Sequence, residues 1–158
     1  MFRNLIILII LSIAIAGLGG CLTTSDLPAT AIAQLALAET LVTQNKVDEA
    51  IEEYRRLTTQ FPEDERASQA MYKTGELYLN YLSNWSAALD TFENLVTRYP
   101  KSAEADDALI SLGHIYDYYK HDPSKAKQTY LKILNQYSSG NRAEDARAKL
   151  VNLQYRGY

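Results

Sequence analysis

One pattern of small, aromatic and proline residues occurs three times along the chain, at intervals of 38 residues. The middle copy is the clearest and runs from Ala88 to Tyr116. The matching positions in the first half of each copy are Ala50, Tyr54, Leu57, Phe61 and Pro62; Ala88, Phe92, Leu95, Tyr99 and Pro100; and Ala126, Tyr130, Ile133, Tyr137 and Ser138. A fixed period of about 20–50 residues is typical of stacked supersecondary units, so this repeat restricts the fold more than any single residue does.

Each copy is predicted to be a pair of α-helices. Apolar and small residues recur at steps of three and four on either side of Pro100, which places each set on one face of a helix. Pro100 cannot continue the first of these helices, so it marks the turn between them. One pair cannot bury its own apolar face, so neighbouring pairs must stack on it. The sequence therefore predicts an all-α protein, a short solenoid of about seven antiparallel helices with three helix pairs and a C-terminal capping helix.

Turn and cap residues predict the ends of these helices. Pro28 suits the first turn of the first helix. The third helix is expected to begin at Glu63–Glu65, and the last to extend from about residue 142 to residue 153. The predicted N-caps are Asp48, Asn84, Ser102 and Asp122.

The pattern resembles the tetratricopeptide repeat, a helix pair of about 34 residues. The residues that carry the resemblance are Leu37, Ala38, Ala50, Tyr54 and Pro62 in the first copy; Gly75, Ala88, Phe92 and Pro100 in the second; and Gly113, Ala126 and Tyr130 in the third. The period here is longer, and the last proline is missing. Long repeats that end in Phe-Pro or Tyr-Pro are similar to those of bacterial envelope proteins of the BamD and YbgF type.

The N-terminus is predicted to be an export signal with a lipid attachment site. Residues 5–18 are apolar apart from Ser12, which is short for a membrane-spanning helix and suits a signal peptide. Cys21 is the only cysteine, so no intramolecular disulfide can form. The residues before it, Leu18, Gly19 and Gly20, resemble a bacterial lipobox, which implies cleavage before Cys21 and a covalent lipid on that residue. The alternative is an uncleaved anchor with a spare thiol.

These signals divide the chain into three parts. Residues 1–20 are a lipoprotein signal peptide, residues 21–27 are the lipidated cysteine and a short tether, and residues 28–158 are the helical repeat domain. Leu22 follows the cysteine, which by the lipoprotein sorting rule implies the periplasmic face of the outer membrane. In a Gram-positive organism the same signal implies the outer face of the plasma membrane.

Composition and motifs exclude several classes of function. The net charge of −3 argues against nucleic acid, because binding phosphates requires a basic surface. His114 and His121 are seven residues apart and cannot form an i, i+4 metal pair, and no cysteine is available beside them. The chain has no glycine-rich phosphate loop, no Gly-x-Ser-x-Gly and no zincin motif. We therefore predict a non-catalytic protein with no cofactor apart from the covalent lipid, no metal and no small-molecule substrate.

The resemblance implies a partner-binding groove. In tetratricopeptide-repeat proteins the first helix of each repeat lines a concave surface that holds a peptide or a helix. Mapped onto this chain, the groove residues are Tyr72, Glu76, Asn80, Ile110, His114, Asp117 and Tyr118, with Leu35, Glu39 and Leu79 beside them. Tyr118 also has a simpler interpretation, which is that it covers the following turn.

The predicted function is that of a membrane-anchored adaptor that binds protein partners in the bacterial envelope. The BamD-like resemblance implies outer-membrane protein assembly as the first candidate process. The alternatives are a pilotin-like factor, or an assembly factor associated with Tol-Pal or with peptidoglycan enzymes.

Overall fold

The structure is a computed structural model that describes residues 30–138, 140 and 142–158. Over these residues it contains seven α-helices and no strand, as predicted. The helices are α1 (Ala31–Thr43), α2 (Val47–Gln60), α3 (Arg66–Asn80), α4 (Trp85–Arg98), α5 (Ala105–His114), α6 (Pro123–Gln136) and α7 (Ala143–Tyr155). A π-helical turn, Ile115–Tyr119, extends α5. Pro28 and the signal and lipid-attachment residues Leu18, Gly19, Gly20 and Cys21 lie outside the described residues.

The turns inside the three helix pairs share one backbone conformation. Asn45, Ser83 and His121 lie 38 residues apart and have φ values of 59°, 51° and 52°. This left-handed conformation ends a helix by reversing the chain, and asparagine tolerates it better than most residues do. His121 therefore occupies a structural position in a turn.

The turns between successive pairs are also equivalent. Phe61, Tyr99 and Tyr137 each follow the last residue of a second helix. The Tyr99 hydroxyl donates to the Pro62 carbonyl at 2.9 Å, and the Tyr137 hydroxyl donates to the Pro100 carbonyl at 2.6 Å. Each tyrosine therefore fastens its own repeat to the previous one. Phe61 stands in the first described repeat and has no hydroxyl to make this bond.

The core repeats a contact between a glycine and an aromatic ring. A Cβ atom placed on Gly75 would lie 2.6 Å from Cζ of Phe92, and one placed on Gly113 would lie 2.6 Å from Cζ of Tyr130. Both rings are fully buried. Glycine is required at these positions because the second helix approaches too closely for any side chain.

Two predicted caps are confirmed and two are wrong. Asn84 accepts a hydrogen bond from Ala87 N at 3.1 Å, and Asp122 accepts one from Lys125 N at 2.9 Å. Asp48 lies inside the first turn of α2, because the helix begins at Val47 and its N-cap position is occupied by Lys46. Ser102 is not the cap of α5, because a further turn separates it from Ala105.

Three predicted helix ends also need correction. Residues 63–65 form a turn, so α3 begins at Arg66. The first residue of α7 is Ala143, and the helix continues to Tyr155 rather than ending at Leu153. These are errors of one to three positions, which is where patterns of apolar residues are least informative. No helix among the described residues combines the length and the apolar character that crossing a membrane requires.

Candidate partner-binding face

The first helices of the repeats lie in one layer, and their outward side forms a continuous surface. We call this surface the first-helix face; it consists of the outward sides of α1, α3 and α5 with its π turn. α1 packs directly against α3, and each first helix packs against the second helix of its own pair. The seven predicted groove residues fall on α3 and on α5 with its π turn, two of the first helices.

Glu76 and Asn80 line a depression between α1 and α3. Its volume is about 230 Å³. The depression is lined by Val42, Tyr54, Lys73, Glu76, Leu77, Asn80 and Tyr81. Lys73 Nζ lies 3.0 Å from Glu76 Oε2, so the carboxylate is already paired on one side.

Tyr54 forms the floor of this depression. Burial, together with the carboxylates of Glu39 and Glu76, which disfavour a further negative charge, raises the pKa of its hydroxyl to about 12. The Tyr54 hydroxyl is therefore neutral at physiological pH. Together with the two carboxylates it gives this end of the face an acidic, hydrogen-bonding character.

Tyr72 and Ile110 occupy the middle of the face, between α3 and α5. Both are partly buried against the core. The Tyr72 ring lies 5.7 Å from the Phe92 ring, and burial, followed by the charges of Glu76 and Asp107, raises the pKa of the Tyr72 hydroxyl. These two residues form a partly exposed apolar surface between the two ends of the face.

His114 and Tyr118 form a stacked pair at the end of α5. Their ring centroids are 4.5 Å apart with an angle of 29° between the ring planes, and the Tyr119 ring stands 5.9 Å from His114 at 67°. Burial and the positive charge of Lys149 lower the pKa of His114, so the imidazole is neutral at pH 7. Tyr118 is nevertheless 51% exposed. A neutral aromatic pair that is open to solvent suits contact with a partner's side chains.

The π turn is the reason that these rings meet. Lys120 N donates to the Ile115 carbonyl at 3.0 Å, five residues back. The wider turn brings His114, Tyr118 and Tyr119 to one side of the helix end. Such π turns are rare and occur often at functional sites. A period of 3.6 residues does not reveal one, so the sequence did not predict it.

Asp117 is buried at the end of α5 and is already paired with a residue at the end of α7. Its carboxylate is buried and receives two hydrogen bonds from Arg156, from Nη1 at 2.8 Å and from Nη2 at 2.9 Å. Asp117 therefore fastens the residue after α7 to α5, and in this structure it serves an internal contact.

A further cavity lies where no site was predicted, between the two proline turns. Its volume is about 630 Å³, and it is lined by residues 62–66, 68–69 and 98–104. Charged groups within it are partly paired: Arg66 Nη1 lies 2.8 Å from Asp64 Oδ1, and Ser68 Oγ donates to Glu104 Oε2 at 2.7 Å. The repeated Phe-Pro and Tyr-Pro turns were the signal that could have located it.

No group of three or more histidine, cysteine, aspartate or glutamate side chains in the described part of the chain is arranged to hold a metal ion. The face consists of aromatic, carboxylate and amide groups without a convergent nucleophile and base. Its chemistry is that of recognition.

Comparison with known families agrees with this geometry. Two family models, both of the tetratricopeptide repeat, match the chain, one over residues 31–74 and the other over residues 69–102. No curated protein matches the chain significantly. The matched residues contain α1 to α4, and the third pair repeats their glycine–aromatic contact. Residues 31–102 therefore carry tetratricopeptide repeats, the repeats of proteins that are in general non-catalytic scaffolds for protein–protein interaction.

Proposed function

We propose that this chain is a lipid-anchored adaptor of the bacterial envelope that binds a protein partner on its first-helix face. The observation that carries the proposal is the stacked pair of His114 and Tyr118, which stays open to solvent on a scaffold of interaction repeats. The partly exposed Tyr72 and Ile110 continue an apolar path from that pair to the acidic depression. A partner segment that follows this path meets aromatic anchors first and carboxylates second.

The proposed anchor is Cys21, acylated after cleavage behind Gly20. One acyl chain gives only reversible membrane binding, so more than one chain is needed for a stable anchor. The chain from Cys21 to Thr30 can reach about 30 Å when fully extended. The helical domain is therefore held close to the lipid surface.

The direction of the helices determines which edge of the domain is nearest to the anchor. Thr30 stands at the start of α1, on the same edge as the proline turns after α2 and α4. His114 and Tyr118 stand at the far end of α5, about 20 Å away along the helices. The aromatic pair accordingly lies at the edge of the domain that is farther from the tether.

Outer-membrane protein assembly is the process we propose first, because of the BamD-like Phe-Pro and Tyr-Pro repeats. The direct test is a mild-detergent purification from membranes through a C-terminal tag, with mass spectrometry of the proteins that copurify. We expect the barrel-assembly protein. Recovery of a secretin, a Tol-Pal component or a peptidoglycan enzyme instead would contradict the assembly role and leave the adaptor function in place.

The same purification tests the binding face. The double variant His114→Ala and Tyr118→Ala should lose the partner, because it removes both rings of the stack. Tyr155→Ala is a matched control, since Tyr155 is 92% exposed and lies on α7. Equal recovery of the partner by the double variant and the control would show that the first-helix face is not the binding surface.

The anchor has its own test. Cys21→Ser should remove the lipid from the protein and leave the signal peptide uncleaved by the lipoprotein peptidase. If the variant still fractionates with membranes at its mature size, Cys21 is not the lipid attachment site.

A further inference from the structure

Three positions that are buried or partly buried in the later first helices are exposed in α1. Ala38 of α1 aligns with Gly75 and Gly113, so the interval from α1 to α3 is 37 residues rather than 38. On this alignment Ala33 corresponds to Ala70, Ala108 and Ala146, all of which are 0% exposed, whereas Ala33 itself is open to solvent. Leu37 is 38% exposed, whereas its equivalent Leu112 is 4% exposed and the other two equivalents, Thr74 and Leu150, are partly buried. The third position, Thr40, is also exposed in α1 and corresponds to Leu77, Ile115 and Leu153, which are between 0% and 4% exposed.

The covering element at the later positions is the second helix of the preceding repeat. α2 packs on α3, α4 on α5 and α6 on α7. No described helix packs on the corresponding side of α1. α1 therefore presents an uncovered copy of the interface that holds the solenoid together, and we call it the N-terminal face: Ile32, Ala33, Ala36, Leu37 and Thr40.

The N-terminal face is apolar and uncharged. Glu39 is the one charged residue among the 13 of α1. The Thr40 hydroxyl donates to the Ala36 carbonyl at 2.8 Å, and the Thr43 hydroxyl donates to the Thr40 carbonyl at 2.7 Å. The threonine donors are thus satisfied within the helix, and the surface they border needs no polar partner.

We infer that the N-terminal face is the interface of a homodimer, in which α1 of one copy packs against α1 of a second copy. A two-fold interface brings each residue near its own counterpart, so a charged patch would repel itself and an uncharged one does not. Covering both copies at once removes the apolar surface of each from water. The small side chains at positions 33 and 36 let the two helices approach closely.

The proposed lipid anchor favours a second copy of the chain as the partner of the N-terminal face. The inference therefore rests on that anchor in two respects. Once the chain is cleaved before Cys21, only residues 21–29 precede the described domain, too few to supply the 14-residue helix that occupies the equivalent place in later repeats. A single helix face is also smaller than the standard interface of about 1,200–2,000 Å². Confinement to one membrane raises the effective concentration and compensates for that small area. Both copies then start from the same membrane, so the two α1 helices run parallel.

Cysteine cross-linking of the full-length protein in its own membranes tests the dimer. In a parallel pair, position 33 of one copy faces position 33 of the other, within the Cβ–Cβ separation of about 3.5–4.5 Å that a disulfide spans. Ala33→Cys should therefore give a covalent dimer under mild oxidation. Ala148→Cys is the matched control, an exposed alanine on α7 at the other end of the stack.

A second pair of variants separates a specific interface from random collision. Adding Leu37→Glu to Ala33→Cys places two carboxylates against each other, and we expect the dimer yield to fall roughly tenfold. Val151→Glu is the control, because Val151 is 65% exposed and lies on α7. The inference is overturned if Ala33→Cys gives no more dimer than Ala148→Cys, if Leu37→Glu leaves the yield unchanged, or if Ala33→Cys links to a different protein.

The wild-type chain distinguishes failure of this inference from failure of the anchor. Its only thiol is that of Cys21, which acylation would block. A cross-link in the wild type would show a free thiol and contradict the lipid anchor. The comparison of Ala33→Cys with Ala148→Cys would then be repeated with Cys21→Ser, where a dimer specific to position 33 still supports the interface.

Discussion

The two ends of the helical stack are terminated in different ways. At the C-terminal end, α7 buries Ala146 and Leu153 against the preceding pair, and ion pairs add to this packing. Arg156 binds Asp117, and Arg142 binds Asp107. At the N-terminal end, α1 forms no ion pair in the described structure and directs alanine, leucine and isoleucine side chains into solvent. A charged helix can end a solenoid without a partner, whereas an apolar one leaves surface to be covered.

The residue at position 151 shows a second difference between α7 and the earlier first helices. Gly75 and Gly113 have no side chain because the ring of the next helix occupies that space. The equivalent residue of α7 is Val151, whose side chain is 65% exposed. A valine there leaves no room for the aromatic ring of another helix of the same kind. The predicted loss of the repeat glycine in the last helix therefore marks a genuine end of the repeated packing.

The largest expected effect comes from exchanging these two residue types. Gly113→Val should lower the free energy of unfolding by about 3 kcal/mol, because the new side chain overlaps the Tyr130 ring. Val151→Gly should cost only about 0.5 kcal/mol, the difference in helix propensity between valine and glycine. Urea unfolding followed by circular dichroism measures both. Similar losses in the two variants would mean that position 151 is packed like position 113.

An alkaline titration probes the packing beneath α1. The folded pKa of Tyr54 is about 12, above its ordinary value of 10. The fold therefore favours the neutral hydroxyl, and its contribution to stability is complete below pH 10 and is lost as the pH rises towards 12. We expect the free energy of unfolding to fall by about 2 kcal/mol over this range on account of Tyr54.

The matched variant isolates that tyrosine. Tyr54→Phe should make the decline between pH 10 and pH 12 shallower, with the remainder contributed by residues such as Tyr116, whose pKa is also raised to about 12. Urea unfolding at pH 9, 10, 11 and 12 gives the slope. An unchanged slope in Tyr54→Phe would mean that this hydroxyl ionises as easily in the folded protein as in the unfolded chain.

The ion pair at the C-terminal end predicts an asymmetry between its two partners. Arg156→Ala leaves the buried Asp117 carboxylate without its partner, whereas Asp117→Asn leaves a guanidinium that can turn into water. Arg156→Ala should therefore loosen α7 more. Hydrogen exchange over Ala143–Tyr155 is the measurement, with α1 as the internal reference. Faster exchange in Asp117→Asn than in Arg156→Ala would contradict this assignment.

The smallest effect is expected at the proline turns. Tyr137→Phe removes the hydrogen bond to the Pro100 carbonyl and should cost about 1 kcal/mol. Phe61→Tyr is the converse change at the first repeat, where no described carbonyl of an earlier repeat is available, and it should be nearly neutral. Thermal unfolding compares the two. A larger loss in Phe61→Tyr than in Tyr137→Phe would contradict this account of the turn aromatics.

The directions of the side chains on this face could be predicted only in part from the sequence, for a physical reason. Glu76, Asn80, His114 and Tyr118 fall on helices whose orientation follows from the repeat, so their common layer was predictable. Asp117 lies three residues beyond His114 on the same helical segment, yet its direction depends on Arg156, which is 39 residues away. A spacing rule describes one helix and contains no information about such a distant partner.

By itself, the sequence determined the number and order of the helices, the glycine positions and the caps Asn84 and Asp122, because these depend on neighbours in the chain and on a repeated period. The tertiary structure alone decided the π turn that stacks His114 on Tyr118, the cleft between the proline turns and the exposure of Ala33. These depend on which helices lie next to one another and where the stack stops. An alanine has the same local pattern whether a neighbouring helix covers it or water does.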